Sequence, residues 1–454
     1  MLAAADTMEM DSSHAIRTLI VGLGATGLSC ARYLVRQGVE VAVTDSRAQP
    51  PGLADIQTEL PDVALFLGGF DPQAFARAER IVVSPGVDLR EPVLVEARSR
   101  GVEIIGDIEL FARAAIAPVI AITGSNGKST VTTLVGAMAR RGGMDVRVGG
   151  NLGTPALALL QDHEPDLYVL ELSSFQLDLV QSLFCRAATV LNVSPDHLDR
   201  YDSLEDYAQS KRQIFTHAEL QVINRDDATV TTLLQPGNAV VSFGLNAPDG
   251  ENFGVRELDG QRWVVKGEER WLPVTQIRMP GLHNLANALA ALALGEAAGI
   301  ERSAMLQTLR EFQGLPHRTQ WVAQCHGVSW FNDSKATNVG AALAAVNGFE
   351  GPLILIAGGQ AKGADFSQLA DGLDRRVKAL VLLGEAAAEI EQALQGRFPV
   401  QHARSMTEAV KQCASLADAG DTVLLSPACA SFDMFNGYAH RGELFMQAVQ
   451  EYCA

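Results

Sequence analysis

The sequence predicts an α/β protein made of three domains, each with a parallel sheet. Short apolar runs typical of buried strands alternate with helical patterns along the chain, as expected for parallel strands connected by helices. Glycine-rich turns join a strand to a helix at Gly22–Gly27 and at Gly124–Lys128. At about 150 residues per domain, the 454 residues of the chain correspond to three domains.

The predicted elements form three sets in chain order. The first set comprises a strand at Leu19–Val21, a helix at Leu28–Arg36 and a strand at Val39–Val43. The second set comprises a strand at Val119–Ile122, a helix from about Ser129, a strand at Leu167–Leu170 that ends in Glu171, and helices at Leu204–Phe215 and Asn284–Ala298. The third set comprises strands at Leu353–Ile356, Ala379–Leu383 and Val423–Leu425. Connections at Phe111–Pro118 and Phe312–Pro316 separate the sets, so the predicted domains are 16–111, 112–314 and 315–454.

Composition narrows the classes of partner. The net charge is −17 and basic residues form no block, which argues against binding to nucleic acid. No apolar run approaches the ~20 residues that cross a bilayer. Residues 1–15 lack the basic start of a signal peptide and are interpreted as an extension ahead of the first strand. We therefore expect a cytoplasmic protein.

The six cysteines are scattered, and none forms a Cys-x-x-Cys pair. This spacing argues against a zinc ribbon or a disulfide framework. We expect small, buried, reduced side chains at Cys30, Cys185, Cys325, Cys413, Cys429 and Cys453.

The first glycine turn, Gly22-Leu23-Gly24-Ala25-Thr26-Gly27, matches the G-x-G-x-x-G pattern of dinucleotide sites. Asp45 ends the next strand, where such a site places an acid that binds ribose. A nicotinamide-dependent oxidoreductase is one hypothesis, and a tight turn without a ligand is the other.

The second turn, Thr123-Gly124-Ser125-Asn126-Gly127-Lys128-Ser129-Thr130, has the Gly-Lys-Ser-Thr core of a phosphate loop. In such a loop backbone N–H groups and the lysine bind phosphates, and the following hydroxyl binds Mg²⁺. The general pattern requires a glycine where this chain has Ile122. A protein with both turns is expected to couple ATP cleavage to chemistry on a second phosphate-bearing molecule.

The shortened loop resembles that of the Mur ligases and of their folylpolyglutamate synthase relatives. Further segments resemble this family in order and spacing: Gly149–Asn151, Glu171–Gln176, Asp196–Tyr201, Gly281–Asn284, His317-Arg318, Asp333–Asn338 and Ser426–Ser431. The family resemblance implies a Rossmann-like uridine-nucleotide domain, a central ATPase domain and a Rossmann-like C-terminal domain. The last two motifs resemble those of D-glutamate-adding members, and the Asp-Asn-Pro-Arg motif of diaminopimelate-adding members is absent from the sequence.

The resemblance implies ATP-dependent ligation of D-glutamate to UDP-N-acetylmuramoyl-L-alanine through an acyl phosphate, in peptidoglycan precursor synthesis. It implies catalytic roles for Lys128, His197 and Lys211, with Lys211 carbamylated. The implied ligands of Mg²⁺, with two ions expected, are Ser129, Thr130, Glu171, His197 and Lys211. The implied ATP-binding residues are Gly124, Ser125, Asn126, Gly127, Lys128, Ser129, Thr130, Asn284, Asn287, Arg318 and Asp333.

Two further groups of residues are implied to bind the other substrates. Those for the uridine-nucleotide substrate are Ala25, Thr26, Ser46, Arg47, Ser84, Gly86 and Asn151. Those for D-glutamate are Thr337, Lys362, Ser431 and Tyr438. Tyr438 replaces the phenylalanine of many relatives, and Ala361 replaces the glycine of a Gly-Gly-x-Gly-Lys pattern.

Other functions remain open from the sequence. A ligase of the same family would add L-alanine or extend a folate with glutamate. An oxidoreductase would leave Lys128 and Glu171 without a role, and a non-catalytic regulator would need a defective ATP site. We expect a monomer whose domains close around the substrates.

Overall fold

The computed structural model describes residues 16–197, 199–279, 281–349 and 351–454. The interpretation of residues 1–15 as an extension lies outside these ranges. The chain divides into two compact units, one formed by Met1–Ala121 and Arg147–Cys185 and the other by Ile122–Val146 and Arg186–Ala454. Among the described residues, no helix combines the length and the hydrophobicity that a bilayer span requires.

The first sheet is parallel, with the strand order β3-β2-β1-β4-β5. Its strands are β1 (Thr18–Val21), β2 (Val41–Asp45), β3 (Ala64–Leu67), β4 (Arg80–Val83) and β5 (Glu103–Ile105). The helices are α1 (Ala25–Arg36), α2 (Leu53–Glu59), α3 (Pro72–Arg77), α4 (Pro92–Ser99) and α5 (Asp107–Ala112). From β1 the chain adds β2 and β3 on one side of the sheet and then β4 and β5 on the other side. In such sheets ligands bind at the carboxyl ends of the strands near the point where the chain changes sides.

The second sheet has the order β14-β13-β12-β11-β10-β9-β6-β8-β7. Its strands are β6 (Val119–Thr123), β7 (Val146–Gly150), β8 (Leu167–Glu171), β9 (Ala187–Val190), β10 (Leu220–Asn224), β11 (Ala239–Phe243), β12 (Phe253–Leu258), β13 (Gln261–Lys266) and β14 (Glu269–Pro273). The helices are α6 (Lys128–Arg141), α7 (Ser174–Leu177), α8 (Leu204–Arg212), α9 (Ala228–Thr232), α10 (Leu282–Ala297) and α11 (Arg302–Glu311). The antiparallel strands β12 to β14 are not among the elements that the sequence patterns predicted.

The third sheet has the order β15-β16-β20-β17-β18-β19, with β15 antiparallel to β16. Its strands are β15 (Gln320–Cys325), β16 (Val328–Asn332), β17 (Leu353–Ala357), β18 (Val377–Leu382), β19 (Val400–His402) and β20 (Thr422–Leu425). The helices are α12 (Val339–Val346), α13 (Phe366–Gly372), α14 (Ala387–Leu394), α15 (Met406–Leu416) and α16 (Tyr438–Cys453). One apolar core packs α12 to α14 against the sheet, and another includes residues of α15 and α16.

Most predicted elements lie within a few residues of the observed ones. The helix predicted at Leu28–Arg36 begins three residues earlier, at Ala25. The prediction missed this first turn because its small or polar residues carry no apolar periodicity. The helix predicted at Leu204–Phe215 is α-helical to Arg212 and ends as a short 3-10 helix. Glu171 ends β8 as predicted.

The interpretation of all six cysteines as reduced side chains is wrong for two of them. Cys325 and Cys453 form a disulfide that joins the end of β15 to the end of α16. They are 128 residues apart, so sequence spacing gave no signal, and the pairing of β15 with β16 and the packing of α16 bring them together. The other four cysteines are free and buried, as expected.

Candidate active site

The phosphate loop follows β6 and leads into α6. Gly124 and Gly127 have φ angles of +149° and +84°, which a residue with a side chain adopts at a cost. A Cβ atom on Gly127 would lie 2.4 Å from Oδ1 of Asn287, so the loop and α10 approach closely there. The Lys128 ammonium donates to the carbonyl oxygens of Gly124 at 2.7 Å and Ser125 at 2.9 Å. These features are those of a loop shaped to bind phosphate groups.

The segment after β9 holds the phosphate loop in place, a role that no motif in the sequence indicated. Asn192 Oδ1 accepts from the Asn126 N–H at 2.8 Å, and its Nδ2 donates to the Asn126 carbonyl at 3.0 Å. The Ser194 N–H donates to the Ser125 hydroxyl oxygen at 3.0 Å. Paired side-chain and backbone bonds of this kind fix a loop that has no helix or strand of its own.

A cavity of about 320 Å³ lies beside the phosphate loop. It brings together residues that the sequence assigned to ATP: Asn126, Gly127, Thr130, Asn284, Asn287, Arg318 and Asp333. The Arg318 guanidinium donates to the Ser129 hydroxyl oxygen at 2.8 Å, which links the C-terminal part of the chain to the phosphate loop. The cavity therefore has the guanidinium of Arg318 beside the phosphate loop, and a guanidinium is a group suited to binding phosphates.

Asp333 is buried at one wall of this cavity. Its Oδ1 accepts from the Thr319 N–H at 2.9 Å and its Oδ2 accepts from the Ser426 hydroxyl at 2.7 Å. Burial raises the pKa of this carboxyl to about 7, against the opposing effect of these hydrogen bonds and of the Arg318 charge. The same wall contains His283, whose pKa burial lowers to about 4, so its imidazole is neutral at physiological pH.

Two of the residues predicted to be catalytic lie near the loop as well. Lys211 is 1% exposed; its ammonium donates to the Gly124 carbonyl at 3.2 Å and lies 4.3 Å from the centre of the Tyr207 ring. His197 has a φ of +56°, and 45% of its side chain is exposed. Neighbouring protein atoms shield the imidazole of His197 from water, and this desolvation lowers its pKa. The charges of Lys128 and Lys211 also lower the pKa of His197, whereas the charge of Asp196 raises it. A neutral imidazole is the form that binds metals.

Glu171 lies in the first compact unit and is 3% exposed. Its Oε1 accepts from Nδ2 of Asn151 at 2.8 Å, while its Oε2 has no hydrogen-bond partner among the described residues. A buried carboxylate oxygen without a partner fits a cation ligand, because burying such a group alone is costly. Across the described residues, no group of three or more His, Cys, Asp and Glu side chains is arranged to hold a metal. The predicted metal ligands therefore stay predictions.

The first glycine turn is held by Asp45. One carboxylate oxygen accepts from the Leu23 N–H at 2.7 Å and from the Arg47 guanidinium at 2.7 Å, and the other accepts from the Arg47 backbone and side chain. Burial alone would raise the pKa of Asp45, but these hydrogen bonds outweigh it and lower the pKa to about 2. With both oxygens engaged in this way, Asp45 shapes the turn, and the arrangement gives no support to the ribose-binding role of the oxidoreductase hypothesis.

Most of the residues assigned to the uridine nucleotide follow the carboxyl ends of strands in the first sheet, and Asn151 follows a strand of the second sheet. Ala25 and Thr26 begin α1, and Ser46 and Arg47 follow β2. Three others are Ser84 and Gly86, which follow β4, and Asn151, which follows β7. The Ser84 hydroxyl donates to the Gly22 carbonyl at 2.9 Å, and Asn151 donates to Glu171, so both already have a structural role. Their contacts with a substrate stay predictions.

The residues assigned to D-glutamate lie on loops after three adjacent strands of the third sheet. Thr337 follows β16, Lys362 follows β17, Ser431 follows β20, and Tyr438 begins α16. Lys362 has a φ of +49° and its ammonium lies 5.3 Å from the centre of the Phe432 ring. The Tyr438 ring lies 3.9 Å from the Lys335 ammonium. Loops at the carboxyl ends of parallel strands are where α/β folds bind ligands.

Family models match the three parts of the chain. The model of the Mur ligase MurD-like N-terminal domain matches residues 16–106, that of the Mur ligase middle domain matches 122–295, and that of the Mur ligase glutamate ligase domain matches 317–429. The chain belongs to the Mur ligase family, which confirms the resemblance of its motifs and the three-domain α/β fold class. The exact boundaries 16–111, 112–314 and 315–454 stay predictions.

Curated relatives are similar over nearly the whole chain. A UDP-N-acetylmuramoylalanine--D-glutamate ligase of Nitrosococcus oceani is 54% identical over 96% of this chain and 97% of its own. The ligase of the same name from Pseudomonas aeruginosa is 52% identical over 95% of this chain and 97% of its own. Among solved structures, UDP-N-acetylmuramate-alanine ligase MurC from Thermotoga maritima has a TM-score of 0.59 at 18% identity, covering 96% of this chain and 100% of its own. At that identity the solved structure supports the fold alone.

Proposed function

We propose that this protein is a cytoplasmic, ATP-dependent ligase that joins D-glutamate to UDP-N-acetylmuramoyl-L-alanine in peptidoglycan precursor synthesis. The observation that carries the proposal is the cavity in which the phosphate loop, α10 and the Arg318 segment meet, with Arg318 bonded to Ser129. The names of relatives that are 54% and 52% identical support the choice of substrates.

A carboxylate is a poor electrophile, so the reaction requires its activation. In the proposed reaction the L-alanyl carboxylate becomes an acyl phosphate, the D-glutamate amine attacks its carbonyl carbon, and phosphate leaves, with ADP as the other product. When bound, ATP and Mg²⁺, with two ions expected, supply the phosphoryl group and the cationic charge that stabilises its transfer. The left-handed Gly127, and Glu171 Oε2, which has no hydrogen-bond partner in the part of the chain that the structure describes, are features that fit such ligands.

The residues of the chain would orient the reacting groups. Lys128 and Arg318 place positive charge at the phosphates, and Asn284 and Asn287 line the nucleotide cavity. Ser129, Thr130, Glu171, His197 and carbamylated Lys211 would hold Mg²⁺. Carbamylation requires a neutral amine, and the Lys211 side chain is 1% exposed beside the phosphate loop.

The other two substrates are charged, and the proposal assigns donors to each. Lys362 would bind a carboxylate of D-glutamate together with the hydroxyls of Thr337 and Ser431, beside Tyr438. The diphosphate of the uridine nucleotide would meet the glycine turn at Ala25 and Thr26 and the exposed guanidinium of Arg47. Ser46, Ser84, Gly86 and Asn151 complete the proposed nucleotide-sugar site.

The test is phosphate release from ATP in the presence of UDP-N-acetylmuramoyl-L-alanine and one amino acid. We expect release with D-glutamate and not with L-glutamate, L-alanine or no amino acid, together with a new amide product in the mass spectrum. Lys128→Met should abolish release, because it removes the charge that binds the phosphates. Release with L-alanine and UDP-N-acetylmuramate would assign a different reaction within the family. No release with any pair would contradict the proposal.

A further inference from the structure

Arg441 is the most buried arginine of the C-terminal part of the chain, and no motif in the sequence singled it out. It lies in the first turn of α16, three residues after Tyr438, and is 1% exposed. Within the described residues no carboxylate forms an ion pair with it. Burial lowers the pKa of its guanidinium to about 10, so the group still carries its charge at physiological pH. The nearby charge of Asp433 acts against this shift, and a buried charge that forms no ion pair also needs hydrogen bonds for its stabilisation.

The guanidinium finds that stabilisation in three loops. Its Nε donates to the Ser334 hydroxyl at 2.9 Å, and one terminal nitrogen donates to the Ser334 carbonyl at 2.8 Å. The other terminal nitrogen faces the carbonyls of Cys429 at 3.1 Å, Ala430 at 3.3 Å and Gly358 at 3.5 Å. Arginine suits this arrangement because its donors form a rigid planar fork that reaches several acceptors at once.

These contacts join the loops that follow three neighbouring strands. Ser334 follows β16, Gly358 follows β17, and Cys429 and Ala430 follow β20. The Ser334 hydroxyl also donates to the Tyr438 carbonyl at 2.8 Å, so the start of α16 belongs to the same network. A Cβ atom on Gly359 would lie 3.2 Å from the guanidinium and 2.1 Å from the Ala430 carbonyl, so the β17 and β20 loops pack without spare room.

Each of these segments carries one residue assigned to D-glutamate. Thr337 lies on the same loop as Ser334, and Lys362 lies on the same loop as Gly358. Ser431 directly follows Ala430. The carbonyl of Tyr438 accepts the hydrogen bond from the Ser334 hydroxyl. We propose that Arg441 is a positioning residue for the amino-acid site: its guanidinium sets the spacing of the loops that bind the incoming amino acid, without contacting that substrate. This inference rests on the proposed function.

Two substitutions test it. Arg441→Met keeps much of the length and removes every donor, so the loop carbonyls lose their common partner. Arg441→Lys keeps the charge and loses the planar fork. We expect the KM for D-glutamate to rise about tenfold or more in the methionine variant and less in the lysine variant, with the KM for ATP within about twofold of wild type.

A matched control separates positioning from stability. Arg376 also bonds a backbone carbonyl and a side-chain amide of the C-terminal part, at Phe349 and Asn347, away from the three loops. Arg376→Met should lower the thermal midpoint and leave the KM for D-glutamate unchanged. If Arg441→Met does not yield folded protein, the same comparison is made with Arg441→Lys.

The outcomes are distinct. A rise in the KM for D-glutamate alone supports the inference. Unchanged KM values in folded Arg441 variants, or equal rises for ATP and D-glutamate, overturn it while the wild-type activity stands. A wild-type enzyme that releases phosphate without regard to D-glutamate would overturn the proposed function itself and the role of Arg441 with it.

Discussion

The carboxylate of Asp45 is the residue-scale feature on which the first glycine turn depends. It accepts hydrogen bonds from the Leu23 N–H and from Arg47, and its pKa is lowered to about 2. In an asparagine at this position, an amide NH₂ group would replace one of the two carboxylate oxygens. An NH₂ group cannot accept a hydrogen bond, so it would face the donors of Leu23 or Arg47 without bonding them. These hydrogen bonds favour the ionised carboxylate, so Asp45 stabilises the fold when its side chain is charged.

The lowered pKa of Asp45 has a consequence for the pH dependence of stability. A folded pKa below the unfolded value of 3.8 gives stability that is complete above pH 3.8 and is lost as the pH falls toward 2. We expect the free energy of unfolding of Asp45→Asn to be lower than that of wild type at pH 7, with the difference shrinking between pH 4 and pH 2. Chemical denaturation at several pH values measures this. The exposed Asp55→Asn is the control, and a constant difference at every pH would contradict the prediction.

Lys211 provides a second prediction at the residue scale. Its amine is buried beside Gly124 and Tyr207. If it acts as a carbamate, Lys211→Ala should lose most activity, and added acetate or formate should restore part of it by supplying the missing carboxylate. Lys128→Ala should not respond to the same anions, because it lacks a cation instead. Full activity of Lys211→Ala without any added carboxylate would exclude the carbamate.

At the scale of the element, the shape of the phosphate loop depends on glycine at Gly127. Gly127 and Gly143 lie near opposite ends of α6 and have φ angles of +84° and +83°. A Cβ atom on Gly127 would meet Asn287, whereas one on Gly143 would meet nothing within 4 Å. The two positions therefore share the backbone strain and differ in the contact.

This pair of glycines gives a prediction at the scale of the element. Alanine at either position should destabilise the fold by about 1–2 kcal/mol, the cost of left-handed backbone for a residue with a side chain. Only Gly127→Ala should also raise the KM for ATP, by about tenfold or more, because Asn287 must move away from the nucleotide cavity. Steady-state kinetics and thermal unfolding of both variants check this. Equal effects of the two variants on the KM would contradict it.

At the scale of the whole molecule, the cavity beside the phosphate loop joins distant parts of the chain. The phosphate loop, α10 and the segment after residue 316 contribute to it, and Arg318 bonds Ser129 across 189 positions. A ligand bound there should stabilise the folded chain by about 2.7 kcal/mol at a hundred times its Kd.

We expect ATP with Mg²⁺ to raise the thermal midpoint of the wild type and to raise that of Arg318→Met much less, since this variant loses the contact to the loop and the charge that we propose binds the phosphates. Arg310→Met is the matched control, because Arg310 bonds Gln276 on the surface. Equal midpoint shifts in all three proteins would contradict the role of Arg318.

Local patterns in the sequence determined the α/β class, the family, and the positions of a minority of the strands and helices. Apolar runs and glycine turns are short-range signals, so the strand at Leu353–Ile356 and the Gly124–Lys128 loop were recognisable without a fold. The nucleotide residues came from motif resemblance, and the structure brings seven of them to one cavity.

The tertiary structure alone decided the features that depend on contacts between distant residues. It pairs Cys325 with Cys453, turns Asp45 toward the Leu23 N–H, places Asn192 against the phosphate loop, and directs Arg441 into three loops. None of these pairings has a fixed spacing or a periodic pattern, because each is set by the order of strands in a sheet and by the packing of helices on it. A linear pattern records which residue types are present; only the folded chain determines which partner each side chain meets.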